Sequence, residues 1–347
     1  MEIDGTHIGS GQSPYFIAEA GVNHNGDVEL AKKLIEVAAD AGADAVKFQT
    51  FSADRLVSDQ AEAAEYQQEQ AGFESQKAML EQYELDKSEH YELIEYANSH
   101  NITFLSTPFD KDSADMLREL GVPAIKIGSG DLTNHPLLKH VATYDVPLIV
   151  STGMSTMDEI KEAYDAIQSV DPDPDIIFLH CTSSYPCELN DVNLRAMKTM
   201  KEELPTPIGY SDHTTLIETP AFATIAGAQI IEKHFTLSSS LPGPDHAASL
   251  EPDELNAAVE LTRDAHKILG HPEKRPVDSE LESQTKSRKS IHAAKDLSAG
   301  TTLTQDSVTI TRPNHGIPPY ALDDVIDQKL VVDVDQDQPI TYETLDN

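Results

Sequence analysis

Cysteine is scarce in this 347-residue chain: there are two, Cys181 and Cys187. That excludes a disulfide framework and a four-cysteine zinc site. Reduced, buried thiols near a functional loop are the expectation. Long apolar runs are missing as well. The longest are strand-length, far short of the ~20 residues that cross a bilayer. The opening MEIDGTHIGSGQSPYF carries neither the basic segment nor the apolar core of a secretory leader, so a cytoplasmic location is expected. Cations are the third shortage. Lys and Arg number 25 against 60 Asp and Glu, a net charge of −35. Such a surface repels phosphate backbones and anionic headgroups, which argues against nucleic acid and membrane partners. The acidic residues are spread along the whole chain, and self-repulsion of this kind is best tolerated in screening salt. A halophilic, salt-adapted surface is therefore expected.

What is present is an alternation of short apolar runs and longer amphipathic ones. Strands are expected at 15–21, 44–50, 102–108, 124–130, 147–153, 176–182, 207–213 and 229–235. Helices are expected at 27–41, 86–99, 111–120, 134–143, 156–169, 189–203, 216–226 and 252–269. Near-continuous apolar strands joined by helices imply a parallel sheet buried on both faces. Eight βα units over residues 1–270 suit a (β/α)8 TIM barrel. An open doubly wound sheet fits less well, because no G-x-G-x-x-G follows the first strand. The Ala-, Gln- and Glu-rich insertion 52–85 follows the second strand, on the side where barrel active sites sit, and suggests a lid or wall. Residues 271–287 are polar and turn-rich and suggest a linker. The segment 288–347, β-branched and punctuated by turns, is expected to be a small mainly-β domain.

In such barrels catalytic groups collect at the C-terminal strand ends. Those ends read Glu19; Lys47 and Gln49; Ser106 and Thr107; Lys126 and Ser129; Ser151 and Thr152; His180 and Thr182; Ser211, Asp212 and His213; Glu232, Lys233 and His234. Lys47 and Lys126 sit inside apolar runs, where an unpaired ammonium is costly to bury. Either an anion in the barrel mouth or an internal carboxylate such as Glu19 would answer each lysine alone. The two together, beside hydroxyl-bearing GSG and STG turns, favour a phosphate or carboxylate ligand. His213 and His234 end neighbouring strands and can share a divalent ion. Asp212 should face the other way. His180 is either a third imidazole or a supporting group, and turn chemistry alone could explain His24 in the NHNG loop. Asp245 and His246, after the last strand, could complete the mouth or merely cap the final helix. A phosphorylated acceptor would call for a second cationic cluster, and only Lys233 is spare.

These strand-end strings resemble the sialic acid (N-acetylneuraminate) synthase family. The strings are IAEAGVNHNG (17–26), DAVKFQTF (44–51), STPFD (106–110), KIGSGDLTNHPLL (126–138), STGM (151–154), HCTSSYP (180–186), IGYSDHT (208–214), EKHFTL (232–237) and PGPDHAASLEPDEL (242–255). The segment 288–317 resembles that family's antifreeze-like (SAF) domain. The resemblance implies a transferase that condenses phosphoenolpyruvate with an open-chain N-acetylated amino sugar, N-acetylmannosamine first, with phosphate released. Enzymes making legionaminic or pseudaminic acid share the motifs and are the alternative. By the same resemblance Lys47, Thr107, Lys126, Ser129, Ser151, Ser183 and Ser211 would hold phosphoenolpyruvate. Glu19, Gln49, Asp131, Tyr185 and Asp245 would hold the sugar or move protons. His213 and His234 would bind a divalent ion, Mn2+ before Mg2+ or Co2+. Arg312, from the antifreeze-like domain of a domain-swapped homodimer, would reach the sugar's amide. Ser183 stands where some synthases carry Asn.

The charge predicts that the far-ultraviolet circular dichroism of the folded chain is lost as salt is dialysed away. Full signal at low ionic strength would contradict a salt-adapted surface.

Overall fold

The computed structural model, which describes residues 1–58 and 75–346, folds the apolar runs as parallel strands. They are β1 (Tyr15–Gly21), β2 (Ala45–Thr50), β3 (Thr103–Pro108), β4 (Ile125–Ile127), β5 (Leu148–Ser151), β6 (Ile176–His180), β7 (Ile208–Asp212) and β8 (Ile230–His234). Their order is β3-β2-β1-β8-β7-β6-β5-β4, and the two end strands lie against each other, so the barrel is nearly closed. The chain divides into two compact units, Met1–Gly270 and His271–Asn347.

Several helices begin where short polar side chains satisfy free backbone N–H groups. In α1 (Val28–Asp40), the Asp27 carboxylate accepts from the amides of Glu29 and Leu30. After α2 (Ala53–Leu56) and α3 (Gln76–Tyr83), α4 (Lys87–Ser99) starts with a reciprocal cap between Asp86 and Glu89. The other barrel helices are α5 (Lys111–Leu120), α6 (His135–Val141), α7 (Met157–Gln168), α8 (Ala196–Glu203), α9 (Thr219–Ala226) and α10 (Pro252–Leu269). The helix expected from 189 is shorter than its pattern, because Asn193 takes a left-handed φ of 46° and holds the preceding turn apart from α8.

Strand alternation separates two cores. Phe16, Ala18, Val46, Phe48, Val150 and Phe178 face outward against the helices. Ile17, Ala45, Leu105, Ala124, Ile149, Ile177, Leu179 and Ile230 fill the barrel interior, with Ile3 and Ile8 in the same cluster. Gly209 belongs to the inward set. A Cβ there would lie 2.4 Å from Leu179 Cδ2 and 2.7 Å from the Ile230 carbonyl oxygen, so the strands can close up only over a glycine.

Stepping two residues on along each strand changes the inward set from apolar to polar. Ile17 gives way to Glu19, Ala45 to Lys47, Leu105 to Thr107, Ala124 to Lys126, Ile149 to Ser151 and Ile230 to Glu232. The period of two thus stacks an apolar plug beneath a polar mouth. Of the 52–85 insertion, residues 59–74 lie outside the described residues; α2 and α3 are its described helices.

The second unit opens with α11 (Leu281–Ser287), within the stretch expected to be a linker. In it β9 (Ser290–Ala293) pairs antiparallel with β10 (Val308–Thr311), and a short α12 (Leu322–Val325) follows. Isolated bridges join His292 to Pro339, Leu297 to Val334 and Leu330 to Leu345. Its own core contains Ile291, Leu303, Ile317, Val325 and Ile340. Among the described residues no helix is long and apolar enough to cross a membrane.

Candidate active site

A cavity of about 470 Å3 opens at the C-terminal ends of the barrel strands. Its floor holds two buried lysines and two buried carboxylates. Lys47 Nζ lies 2.6 Å from Glu19 and donates to Thr107 Oγ1 at 2.9 Å. Lys126 Nζ donates to Ser151 Oγ at 2.6 Å and to the Ile127 carbonyl at 3.1 Å. Glu232 stands between the lysines, 3.7 Å from each, and accepts from Ser211 Oγ at 2.9 Å. Lys47 therefore has the internal carboxylate partner that its sequence allowed, while the carboxylate approach of Lys126 among the described residues is the longer one to Glu232.

Burial and neighbours split the two carboxyls. Burial pushes Glu19 up to about 7, with Lys47 opposing and Glu232 adding. Burial also works against the charge on Glu232, but Lys126 and Lys47 outweigh it and hold the group down to about 2. Lys126 is shifted down by burial, whereas for Lys47 the two glutamates more than offset that penalty. A proton entering this array goes to Glu19 first.

Hydroxyls ring one side. Ser129 Oγ accepts from the Gly153 amide at 3.0 Å and contacts Cys181 Sγ at 3.1 Å. Ser183 Oγ is buried and has no hydrogen-bond partner among the described residues. A Cβ on Gly153 would fall 2.2 Å from Ser183 Oγ and 2.9 Å from Ser129 Oγ, so the missing side chain makes room for this cradle. Cys181 and Cys187 are both free and buried.

His213 and His234 meet at the rim with ring centroids 5.4 Å apart. His213 Nδ1 lies 2.7 Å from the Thr182 carbonyl; donation there leaves the lone pair on Nε2. His234 Nδ1 is buried without a partner among the described residues. Burial lowers both imidazoles, which keeps them neutral and available as ligands. Among the described residues no cluster of three or more His, Cys, Asp or Glu gathers for a metal. A divalent ion held here would have two imidazole ligands from the barrel, with water or substrate filling other positions. Tyr185 packs over His213 at 4.2 Å between centroids and meets His234 edge-on at 5.8 Å.

Gln49, Tyr185 and Asp245 also line the cavity. Asp131 does not. The 3-10 turn Ser129–Asp131 carries its carboxylate to Asn134 Nδ2, 2.9 Å away, beside the start of α6. Arg312 is exposed in the second unit, just past β10. His180 is no third imidazole at the rim: its Nε2 is 2.9 Å from the Val192 carbonyl and its ring lies beside Tyr210. His24 Nδ1 accepts from the Gly26 amide, a turn contact, and His246 contacts Thr236 and Asn25.

Lys233 is not spare. It is buried on the outward face, 2.7 Å from Asp212, and also donates to the Thr214 carbonyl. Asp212 accepts in addition from Tyr210 Oη and the Thr214 amide. This pair ties the strand that leads into His213 to the strand that ends in His234. Glu232 bridges both lysines, a role that its place at a strand end does not by itself announce. Its signal was the two-residue offset from His234, which puts the two on one face.

The model of the NeuB family matches residues 34–274, and that of the SAF domain matches 288–346. The chain belongs to the NeuB family. It is an enzyme of the transferase type, as its NeuB-type relatives are. It is 44% identical over 342 residues to an N,N'-diacetyllegionaminic acid synthase of Legionella pneumophila, covering 97% of this chain and 96% of the relative. It is 47% identical over 303 residues to the Campylobacter jejuni protein of the same name, covering 87% and 91%. Among solved structures, the N-acetylneuraminic acid (sialic acid) synthetase of Leptospira borgpetersenii superposes with a TM-score of 0.74 at 38% identity, covering 82% of this chain and 94% of that one.

Removing Lys233 from this NeuB-family barrel would strand a buried carboxylate. Lys233→Met is expected to lower unfolding free energy in urea by about 3–5 kcal/mol, with much of the loss recovered in Asp212→Leu/Lys233→Met. A single variant as stable as the parent would show that the pair does not hold these strands together.

Proposed function

We propose that this enzyme joins phosphoenolpyruvate to the open-chain aldehyde of a 2,4-diacetamido-2,4,6-trideoxy hexose, giving a nine-carbon 2-keto acid of the legionaminic type and inorganic phosphate. The observation that carries the reaction is the Lys47–Glu232–Lys126 array, bordered by hydroxyls and the two-histidine rim. The acceptor is drawn from the relatives: two diacetyllegionaminic acid synthases at 44% and 47% identity support it better than N-acetylmannosamine.

In this reading Lys47 and Lys126 hold the phosphoenolpyruvate anion, Thr107, Ser129, Ser151 and Ser183 donate to its oxygens, and Ser211 borders the anion while its hydroxyl donates to Glu232. A divalent ion at His213 and His234, Mn2+ for preference, would polarise the acceptor carbonyl as a Lewis acid. The enol carbon bonds to the aldehyde carbon, and positive charge develops at the carbon bearing the phosphate ester. Water adds there and phosphate leaves with the bridging oxygen. Glu19 takes one proton from the water and passes it to the former aldehyde oxygen, and the remaining hydroxyl proton leaves with the phosphate as the keto group forms. Glu232 keeps both lysines positioned, while Gln49, Tyr185 and Asp245 orient the sugar. Asp131 has no part in this scheme. Arg312 belongs to it as the resemblance implies, reaching the sugar's amide from the other copy of a domain-swapped homodimer, and the enzyme works in the cytoplasm.

Phosphate release with phosphoenolpyruvate, Mn2+ and a 2,4-diacetamido-2,4,6-trideoxy hexose, with product mass spectrometry, tests the reading. A nine-carbon acid is expected, and Glu19→Gln is expected to cut turnover roughly 10²–10⁴-fold. No condensation product would overturn the reaction; a near-normal rate for the variant would remove Glu19 from it.

A further inference from the structure

The cavity has a second end with different chemistry. Above Gly21 three polar groups converge: a point where its Cβ would be lies 3.4 Å from Asp245 Oδ2, 3.5 Å from Glu19 Oε1 and 3.6 Å from Gln49 Nε2. The lining also includes the apolar side chains Val22, Leu56, Val57, Met79 and Leu80, with Gln76 and Tyr83 from the two ends of α3 beside them. The five apolar side chains belong to one cluster with Phe51 and Tyr83, separate from the barrel cores. Val22 and Met79 are buried, so the wall is packed from behind. Among the described residues that line the cavity, the cations are Lys47 and Lys126, both on the floor beside Glu19 and Glu232.

An acceptor whose aldehyde lies near the histidines and Glu19 must extend its far carbons away from the lysines. A terminal hydroxymethyl against Leu80 and Val57 would lose hydrogen bonds to water and gain none from those two side chains. A terminal phosphate on this wall would have no cation among the described lining residues apart from the two floor lysines. A terminal methyl loses nothing and gains apolar contact. We infer that the wall formed by Val22, Leu56, Val57, Met79 and Leu80 is the specificity element of this enzyme, selecting acceptors whose terminal carbon is a methyl group. The inference rests on the proposed condensation and adds to it which residues choose the sugar.

Three acceptors that differ only at that carbon isolate the effect: 2-acetamido-2,6-dideoxymannose, N-acetylmannosamine and N-acetylmannosamine 6-phosphate. Each is assayed by phosphate release from phosphoenolpyruvate with Mn2+. The 6-deoxy sugar is expected to exceed N-acetylmannosamine in kcat/KM by roughly 10–10²-fold, and the 6-phosphate to give no measurable turnover. In Val57→Thr and Leu80→Gln the preference for the 6-deoxy sugar should narrow several-fold while the KM for phosphoenolpyruvate stays unchanged. The wild-type comparison stands even where a variant fails to fold. Equal kcat/KM for the first two sugars, or efficient use of the 6-phosphate, would overturn the wall's role and leave the condensation standing. No phosphate release with any of them, nor with the 2,4-diacetamido-2,4,6-trideoxy hexose, would overturn both.

Discussion

One buried carboxylate, Glu232, holds the barrel mouth together. Two ammonium groups in an apolar cylinder repel each other and forgo hydration, and neither cost is small. Glu232 lies 3.7 Å from both Lys47 and Lys126, is fixed by Ser211, and stays ionised because both cations face it. Glu19, which shares only Lys47 at close range, is left as the group that gains a proton near neutrality. The floor is thus set in place before any ligand arrives, with one carboxyl committed to structure and its neighbour free to exchange a proton. Preorganisation of this kind lets a site stabilise developing charge without rearranging.

The outward face of the same strands does complementary work. Asp212 and Lys233 alternate with His213, Glu232 and His234, so their ion pair forms on the side away from the cavity. A single register therefore supplies the imidazole pair on one face and the clamp between β7 and β8 on the other. The hydroxyl side follows a similar economy: Gly153 has no side chain, so Ser129 and Ser183 can approach its backbone.

Much of this was legible from sequence because parallel strands show a period of two and put their functional groups at one end. The eight apolar runs, the lysines within them and the histidines at neighbouring strand ends all follow from that rule. Alternation also anticipated that Asp212 would point away from His213. What escaped was whatever depends on partners rather than position. Glu232 looked like one more acidic residue until both lysines were found to face it. Lys233 looked spare because its partner comes from another strand. Asp131 sits inside a matching string, yet a tight turn hands it to Asn134. The choice of acceptor was illegible for a different reason: the apolar wall is assembled from α2, α3 and a residue beyond β1, and it carries no motif.

The most direct test of the central claim is calorimetric titration of phosphoenolpyruvate into the Mn2+-loaded protein and into its Lys126→Met variant, without acceptor. If the lysine array is the anion site, affinity falls roughly 10²-fold or more when one buried cation is removed. Equal affinity in the two proteins would contradict it.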